Sequence, residues 1–249
     1  MTNNPNKKEL FNLICHILSY EDFHKRVAYD IAASLGVNTC PYCNRIYINT
    51  ILESKKKEII RPLFDHFFPH SKHPFLALSF YNLIPSCYYC NSSLKTATSI
   101  SYDTHIHPFL EGYGNDCVFR VIIAGMNPEK SDPRNYKLIL QSKIDPAHPK
   151  YRRIFGNNKS EGSNNLFKLQ EIYNAHTDIV GELIVKADRY SNAQSDSLFK
   201  LFGLLKTNKA EFYQYYFGNY YVDKDHVRRP MAKLTKNILQ QVIPDFFKD

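Results

Sequence analysis

Six cysteines in 249 residues are too few for the disulfide-dense scaffold of a secreted protein this long. Apolar runs such as VIIAGM fall far short of the roughly 20 residues needed to span a bilayer. The N-terminus, MTNNPNKKELFNLICHIL, has neither the uninterrupted apolar stretch nor the cleavage site of a secretory leader. These absences predict a cytoplasmic chain in a reducing compartment, with no membrane role. No G-x-x-x-x-G-K-S/T loop occurs, so any nucleotide sensing falls to another subunit. Internal repeats and low-complexity tracts are also missing.

What is present is a globular composition. With 43% hydrophobic residues, 17 Phe and 18 Tyr, the chain can bury at least one core and has material for two. Lys and Arg outnumber Asp and Glu by 32 to 24, a net charge of +8. That bias favours polyanions such as nucleic acid, although a basic, inert surface has the same composition.

The pattern along the chain predicts an α+β fold in three parts. Residues 1–37 form an N-terminal helical segment: apolar residues recur at helical spacing from Lys7 to Leu35, as two helices or one bent helix ending at Gly36. Residues 38–116, rich in paired Cys, His and Pro, form a small metal-dependent core. Residues 117–249 begin with a β-hairpin, CVFRVIIAG and YKLILQS, joined by the loop MNPEKSDPRN. They continue through a polar stretch, GNNKSEGSNN, read as a linker or exposed loop. One long helix over LFKLQEIYNAHTDIVGELIVKADRY follows, then three shorter ones in DSLFKLFGLLK, KAEFYQYYF and MAKLTKNILQQVI.

Two C-x-x-C pairs, Cys40 with Cys43 and Cys87 with Cys90, have the spacing of a structural zinc site, because each short turn points both sulfurs at one ion. A redox role lacks the βαβ context it would need. A four-thiolate zinc site leaves no open coordination position, so any reaction needs another centre. Cys15 and Cys117 have no such partner and read as buried small apolar residues.

Between the pairs lie Asp65 and His66, then Asn82; Asn91 follows Cys90 directly, and Lys95 comes four residues later. Asp is a hard ligand for Mg²⁺ or Mn²⁺, and His titrates near neutrality, which suits a general base. An Asp-His dipeptide alone is more often a surface turn or a hydrogen-bonded structural pair. If NSSLKTATS opens a helix, Asn91 can reach a divalent ion and Lys95, on the same face, a phosphate. The plain alternative makes Asn91 an N-cap and Lys95 a solvated charge.

This order of residues resembles the HNH endonucleases with a ββα-metal core: an Asp-His pair, Asn-Leu, then C-x-x-C followed by Asn and x-x-x-Lys, here in FDHFFPH, NLIPSC and CYYCNSSLK. CPYCN, DHFFPHSKHPFLALSFYNLIPSCYYCN and HIHPFLEG are similar to the HNH subunit of Septu-type anti-phage systems, the PtuB-like proteins, some of which accompany retrons. The likeness covers about residues 38–112, with a weaker one in NLFKLQEIYNAHTDIVGELI.

The resemblance implies that His66 is the general base, that Asp65 and Asn91 hold a catalytic Mg²⁺ or Mn²⁺, and that Asn82 orients His66 or braces its loop. Cys40, Cys43, Cys87 and Cys90 would hold Zn²⁺. Many members have Lys where this chain has His70, with Lys72 two residues on, so the phosphate contact there stays open. The implied partners are an ABC- or AAA-like ATPase and a nucleic-acid substrate, DNA first and RNA such as tRNA second, within a defence complex that in some relatives includes a retron. The rival expectation is a zinc-stabilised nucleic-acid-binding or scaffold module without catalysis.

His105 and His107, on alternate positions, are either ligands or phosphate contacts, or else turn anchors against the zinc domain. Arg152 with Arg153, Lys55 to Lys57, and Arg228 with Arg229 read as backbone-binding patches or as plain solvated charge. The aromatic run EFYQYYFGNYY stacks bases or, given its spacing, builds a core or protein surface.

Overall fold

Helix α1 (Pro5–Ile17) precedes α2 (Ala28–Leu35), and Gly36 ends α2 in a left-handed conformation, φ +60°. The computed structural model describes residues 5–17, 27–54, 57–191, 203 and 208–248. The Cys15 side chain, Lys55 and Lys56, the Lys57 side chain, and nearly all of DSLFKLFGLLK lie outside the described residues.

Three two-stranded antiparallel sheets follow. β1 (Ile51–Ser54) pairs with β2 (Lys57–Ile60), and β3 (Leu63–His66) with β4 (Leu83–Ser86). The β3–β4 register runs from Leu63 opposite Ser86 to His66 opposite Leu83. A π-helical segment, Tyr89–Lys95, follows β4 after two residues. On the other side, Ala28 and Ala32 of α2 pack on Phe64 and Leu83, so small helical side chains let α2 lie close against this hairpin.

β5 (Cys117–Ile123) and β6 (Tyr136–Ser142) form the predicted hairpin. Cys117, Phe119 and Val121 alternate inward, the period of a half-buried strand. A two-stranded sheet leaves both outer edges short of partners. Here side-chain amides fill them. Asn237 and Gln241 of α8 (Ala232–Val242) accept from Phe119 N and Val121 N. On the other edge, Asn174 and Gln170 of α5 (Leu169–Asn174) accept from Leu138 N and Leu140 N. The match is geometric: two strand residues advance ~6.8 Å, close to the ~6 Å of four helical residues.

That clamp explains a departure from the expected single helix over 166–190. The chain forms α4 (Ser163–Phe167), α5 and α6 (Thr177–Ser191), with Lys168 left-handed at φ +50° between the first two. The apolar period runs through all three, but α5 is turned so that its amides reach β6. The polar stretch after α3 (Pro149–Phe155) is a tightly closed loop rather than a linker. Gly156 and Gly162 have φ of +74° and +81°, and the Asn165 amide donates to the carbonyls of Phe155 and Glu161.

α7 (Lys209–Phe217) starts with a capping box, Asn208 and Glu211. Its Phe212, Tyr213 and Phe217 join α6, α8 and the β5–β6 hairpin in the larger core, so the aromatic run is mainly structural. A second core surrounds the cysteines, and Leu140 and Ile172 pack against both.

Candidate functional site

Each C-x-x-C pair is a turn closed by backbone hydrogen bonds. Asn44 N donates to Cys40 O at 2.7 Å and Cys40 N to Ile46 O at 3.0 Å; in the second pair Asn91 N donates to Cys87 O at 3.1 Å. Asn44 takes φ +46°, a left-handed conformation that Asn tolerates better than most residues. The candidate ligand atoms of Cys40, Cys43, Cys87 and Cys90 all lie within 4.8 Å of one another, and all four residues are buried. Zn–S bonds of ~2.3 Å in a tetrahedron need sulfurs ~3.8 Å apart, so the cluster fits an ion such as zinc. The four thiols split: hydrogen bonding led by Cys40 holds Cys43 and Cys87 below the usual thiol range, while burial raises Cys40 and hydrogen bonding within the cluster raises Cys90.

The cluster is tied into the rest of the fold. Tyr173 OH donates to Cys43 O, Met231 N to Asn44 O, and Thr39 Oγ1 to Val227 O. It also sets the frame for the hairpin, because β4 ends one residue before Cys87 and the π-helical segment carries Cys90, Asn91 and Lys95.

Asp65, His66 and Asn91 line one cleft of about 360 Å³, together with Arg61, His70, Ser92 and Thr96. The Asp65 carboxylate is 2% exposed. Its Oδ1 accepts from Lys95 Nζ at 2.9 Å and its Oδ2 from Tyr42 OH at 2.6 Å. Burial raises the Asp65 pKa, against the lowering effects of Lys95 and Tyr42. Lys95 also donates to His66 O at 2.6 Å and is 1% exposed. Its ammonium therefore lies inside the fold, not on the helix surface as a solvent-facing phosphate contact.

His66 has other partners than its neighbour Asp65. Its Nε2 lies 2.9 Å from Ala77 O, and the ring centroid of His70 is 4.9 Å from its own. Burial, with smaller contributions from the nearby His70 and Lys95, lowers the His66 pKa to about 4. The ring is neutral at physiological pH.

Asn82, 3% exposed, spans the loop between β3 and β4. Its Oδ1 accepts from Phe68 N at 2.7 Å, while Nδ2 donates to Phe68 O at 3.1 Å and Leu76 O at 2.9 Å. The amide thereby holds the segment that brings Ala77 O to His66. Lys72 is exposed and donates to Ser99 Oγ at 2.6 Å.

His107 packs edge-on against Phe67 and contacts Tyr81 O through Nε2 at 2.8 Å. His105 is buried, with Nδ1 2.9 Å from Thr104 Oγ1. Arg152 and Arg153 are paired with Glu161 and Glu111, Arg228 contacts Asp225, and Arg229 donates to Gly218 O. Cys117 is buried against Ile106 and Ile154.

Sequence reasoning missed Tyr42, Arg61 and the Ala77 carbonyl. Tyr42 had a local signal, its place inside the first C-x-x-C turn; the other two gain meaning only from the folded loop. Compared with protein-family models, curated proteins and solved structures, the chain gives no match.

Proposed function

We propose that the chain is a metal-dependent HNH-type endonuclease, hydrolysing phosphodiester bonds with His66 as general base. The observation that carries this reading is the convergence of Asp65, His66 and Asn91 on one cleft, built on an antiparallel hairpin and a helical segment stapled by four cysteines.

In the neutral ring, Nε2 donates to Ala77 O, so the lone pair sits on Nδ1. His66 takes the proton from a water, whose oxygen attacks phosphorus in line as the bond to the 3′ oxygen breaks, and that oxygen takes a proton from solvent. A phosphodiester anion beside the ring raises its proton affinity, offsetting the effect of burial. Asn82 keeps the loop carrying Ala77 O in register, and Arg61 at the cleft offers a cation to the phosphate. Products carry a 5′-phosphate and a 3′-hydroxyl.

Asp65 and Asn91 are the residues to hold Mg²⁺ or Mn²⁺. Each Asp65 oxygen accepts one described bond and retains further lone-pair capacity, which suits an ion that keeps most of its waters and arrives with a phosphate. When bound, such an ion would stabilise the negative charge that builds on the phosphoryl and leaving oxygens. In this reading the chain is the effector of an anti-phage complex, with an ABC- or AAA-like ATPase supplying nucleotide control and DNA, or RNA such as tRNA, as substrate.

A second reading, a zinc-stabilised module without catalysis, is favoured by one observation: both Asp65 oxygens bond inward to Tyr42 and Lys95. Incubation with plasmid DNA and with total tRNA, with Mg²⁺ or Mn²⁺ and with or without the co-purified ATPase, separates the two. The hydrolase reading expects cleavage that EDTA stops, that Mg²⁺ restores, and that His66→Ala lowers by about 10²- to 10⁴-fold. Gel shifts without cleavage, with the ATPase present, would establish the module instead.

A further inference from the structure

Beyond the His66 cleft, a second groove of about 390 Å³ also has Arg61 in its wall. Arg61 and Leu63 line both, so the two adjoin. Tyr47, Tyr88 and Tyr89 line this groove with 53%, 64% and 53% of their surface exposed. The Arg45 guanidinium lies 5.6 Å from the Tyr89 ring centroid. Tyr88 and Tyr89 are the inner residues of the second C-x-x-C turn, so the cysteine cluster holds their backbone and presents the rings in a set place.

Ser86 lines the same groove, is 1% exposed, and its hydroxyl has no hydrogen-bond partner among the described residues. That oxygen has almost no accessible surface, so the rings and cations, not Ser86, set what the groove can take. Exposed rings flanked by cations suit a flat heterocycle on an anionic backbone. A purely apolar protein face would make no use of Arg61 in the groove wall.

We propose that this groove stacks an unpaired base next to the bond being cut, which makes the substrate a nucleic acid that is single-stranded at that point. The inference rests on the hydrolase reading for the position of the cut. A base inside a duplex has both faces covered by its neighbours, whereas an unpaired base can lie on Tyr88 or Tyr89 while its phosphate passes Arg61 into the cleft.

The test uses the full chain carrying His66→Ala, so that strands stay intact, with no divalent ion added. Probes are fluorescent DNA and RNA oligonucleotides of about 12 nucleotides containing 2-aminopurine, offered single-stranded and as duplexes of the same sequence. Single strands should bind at least tenfold tighter than duplex, with the 2-aminopurine emission quenched. Tyr88→Ala with Tyr89→Ala should weaken binding roughly 5- to 150-fold, the span of losing one stacked base, while Tyr88→Phe with Tyr89→Phe preserves it. Tyr47→Ala, outside the cysteine turn, carries the same comparison if the double alanine variant loses zinc.

Equal affinity for duplex, or alanine variants that bind strands as the parent does, would overturn the proposal. That includes the case in which those variants instead lose a co-purifying protein, marking the groove as a protein-docking surface. The two readings fail separately. Quenched, strand-selective binding by a chain that never cuts sinks only the hydrolase, and His66-dependent cutting that ignores strandedness sinks only the groove.

Discussion

The Lys95 ammonium lies 2.9 Å from the Asp65 carboxylate, and the two side chains are 1% and 2% exposed. The pair joins the end of the π-helical segment to β3, with Tyr42 OH on the second oxygen and the His66 carbonyl on the ammonium. Four groups thus satisfy one another in a largely buried site at the wall of the cleft. The strand that carries His66 is held to the segment that carries Asn91.

Removing one member leaves the other charge buried and unpaired. Lys95→Met should destabilise the chain by about 3–5 kcal/mol in urea unfolding, and Lys95→Met with Asp65→Asn should recover much of that loss. A double variant no more stable than Lys95→Met would show that the pair is not coupled.

His66 carries a pH signature. Its folded pKa, about 4 because of burial, lies below the ordinary 6.5. Between those values the unfolded chain takes up a proton that the native ring refuses, so the stability His66 contributes is full above pH 6.5 and is lost as the pH falls towards 4. The urea midpoint of the wild type should therefore drop across that window more steeply than that of His66→Gln. Titration of the His66 ring followed by NMR should centre near 4.

The cysteine cluster predicts a metal stoichiometry that is separable from chemistry. Elemental analysis should find about one zinc per chain in the wild type and in His66→Ala, and little in Cys87→Ser. The Cys87→Ser chain should also be poorly soluble, because the second core is built around the cluster. Full zinc in Cys87→Ser would overturn the assignment of the four ligands.

Asn82→Ala removes one acceptor and two donations from the β3–β4 loop. Leaving buried backbone groups unsatisfied costs about 1–3 kcal/mol, and limited proteolysis should then cut within residues 67–81. Unchanged stability and cleavage pattern would remove Asn82 from any bracing role.

The loop at 156–165 should resist change despite its polar sequence. A Cβ on Gly162 would sit 2.3 Å from Gly156 N, at a φ of +81° that disfavours any other residue. Gly162→Ala should lower the melting temperature by several degrees, whereas Ser160→Ala on the exposed face should alter it little. Equal effects would mean that the loop is open.

The parts legible in advance were those set by short-range rules. The two C-x-x-C turns, the β5–β6 hairpin with its alternating Phe119 and Val121, and the stop at Gly36 each depend on neighbours a few residues apart. The helix over 166–190 was misjudged for the same reason. Its apolar period is continuous, but Asn174 and Gln170 answer to the edge of β6, some 30 residues away, and the backbone breaks at Lys168 to let them.

Residue types and spacing alone determined which side chains were available for chemistry: four thiols, a carboxylate, an imidazole and two amides. Tertiary structure alone decided how each was used. It brought Asp65, His66 and Asn91 to one cleft, turned Lys95 inward to Asp65, and left Tyr88 and Tyr89 in solvent. The physical reason is that burial and pairing are set by groups distant in the chain, and a buried charge takes whichever partner the packing brings within reach.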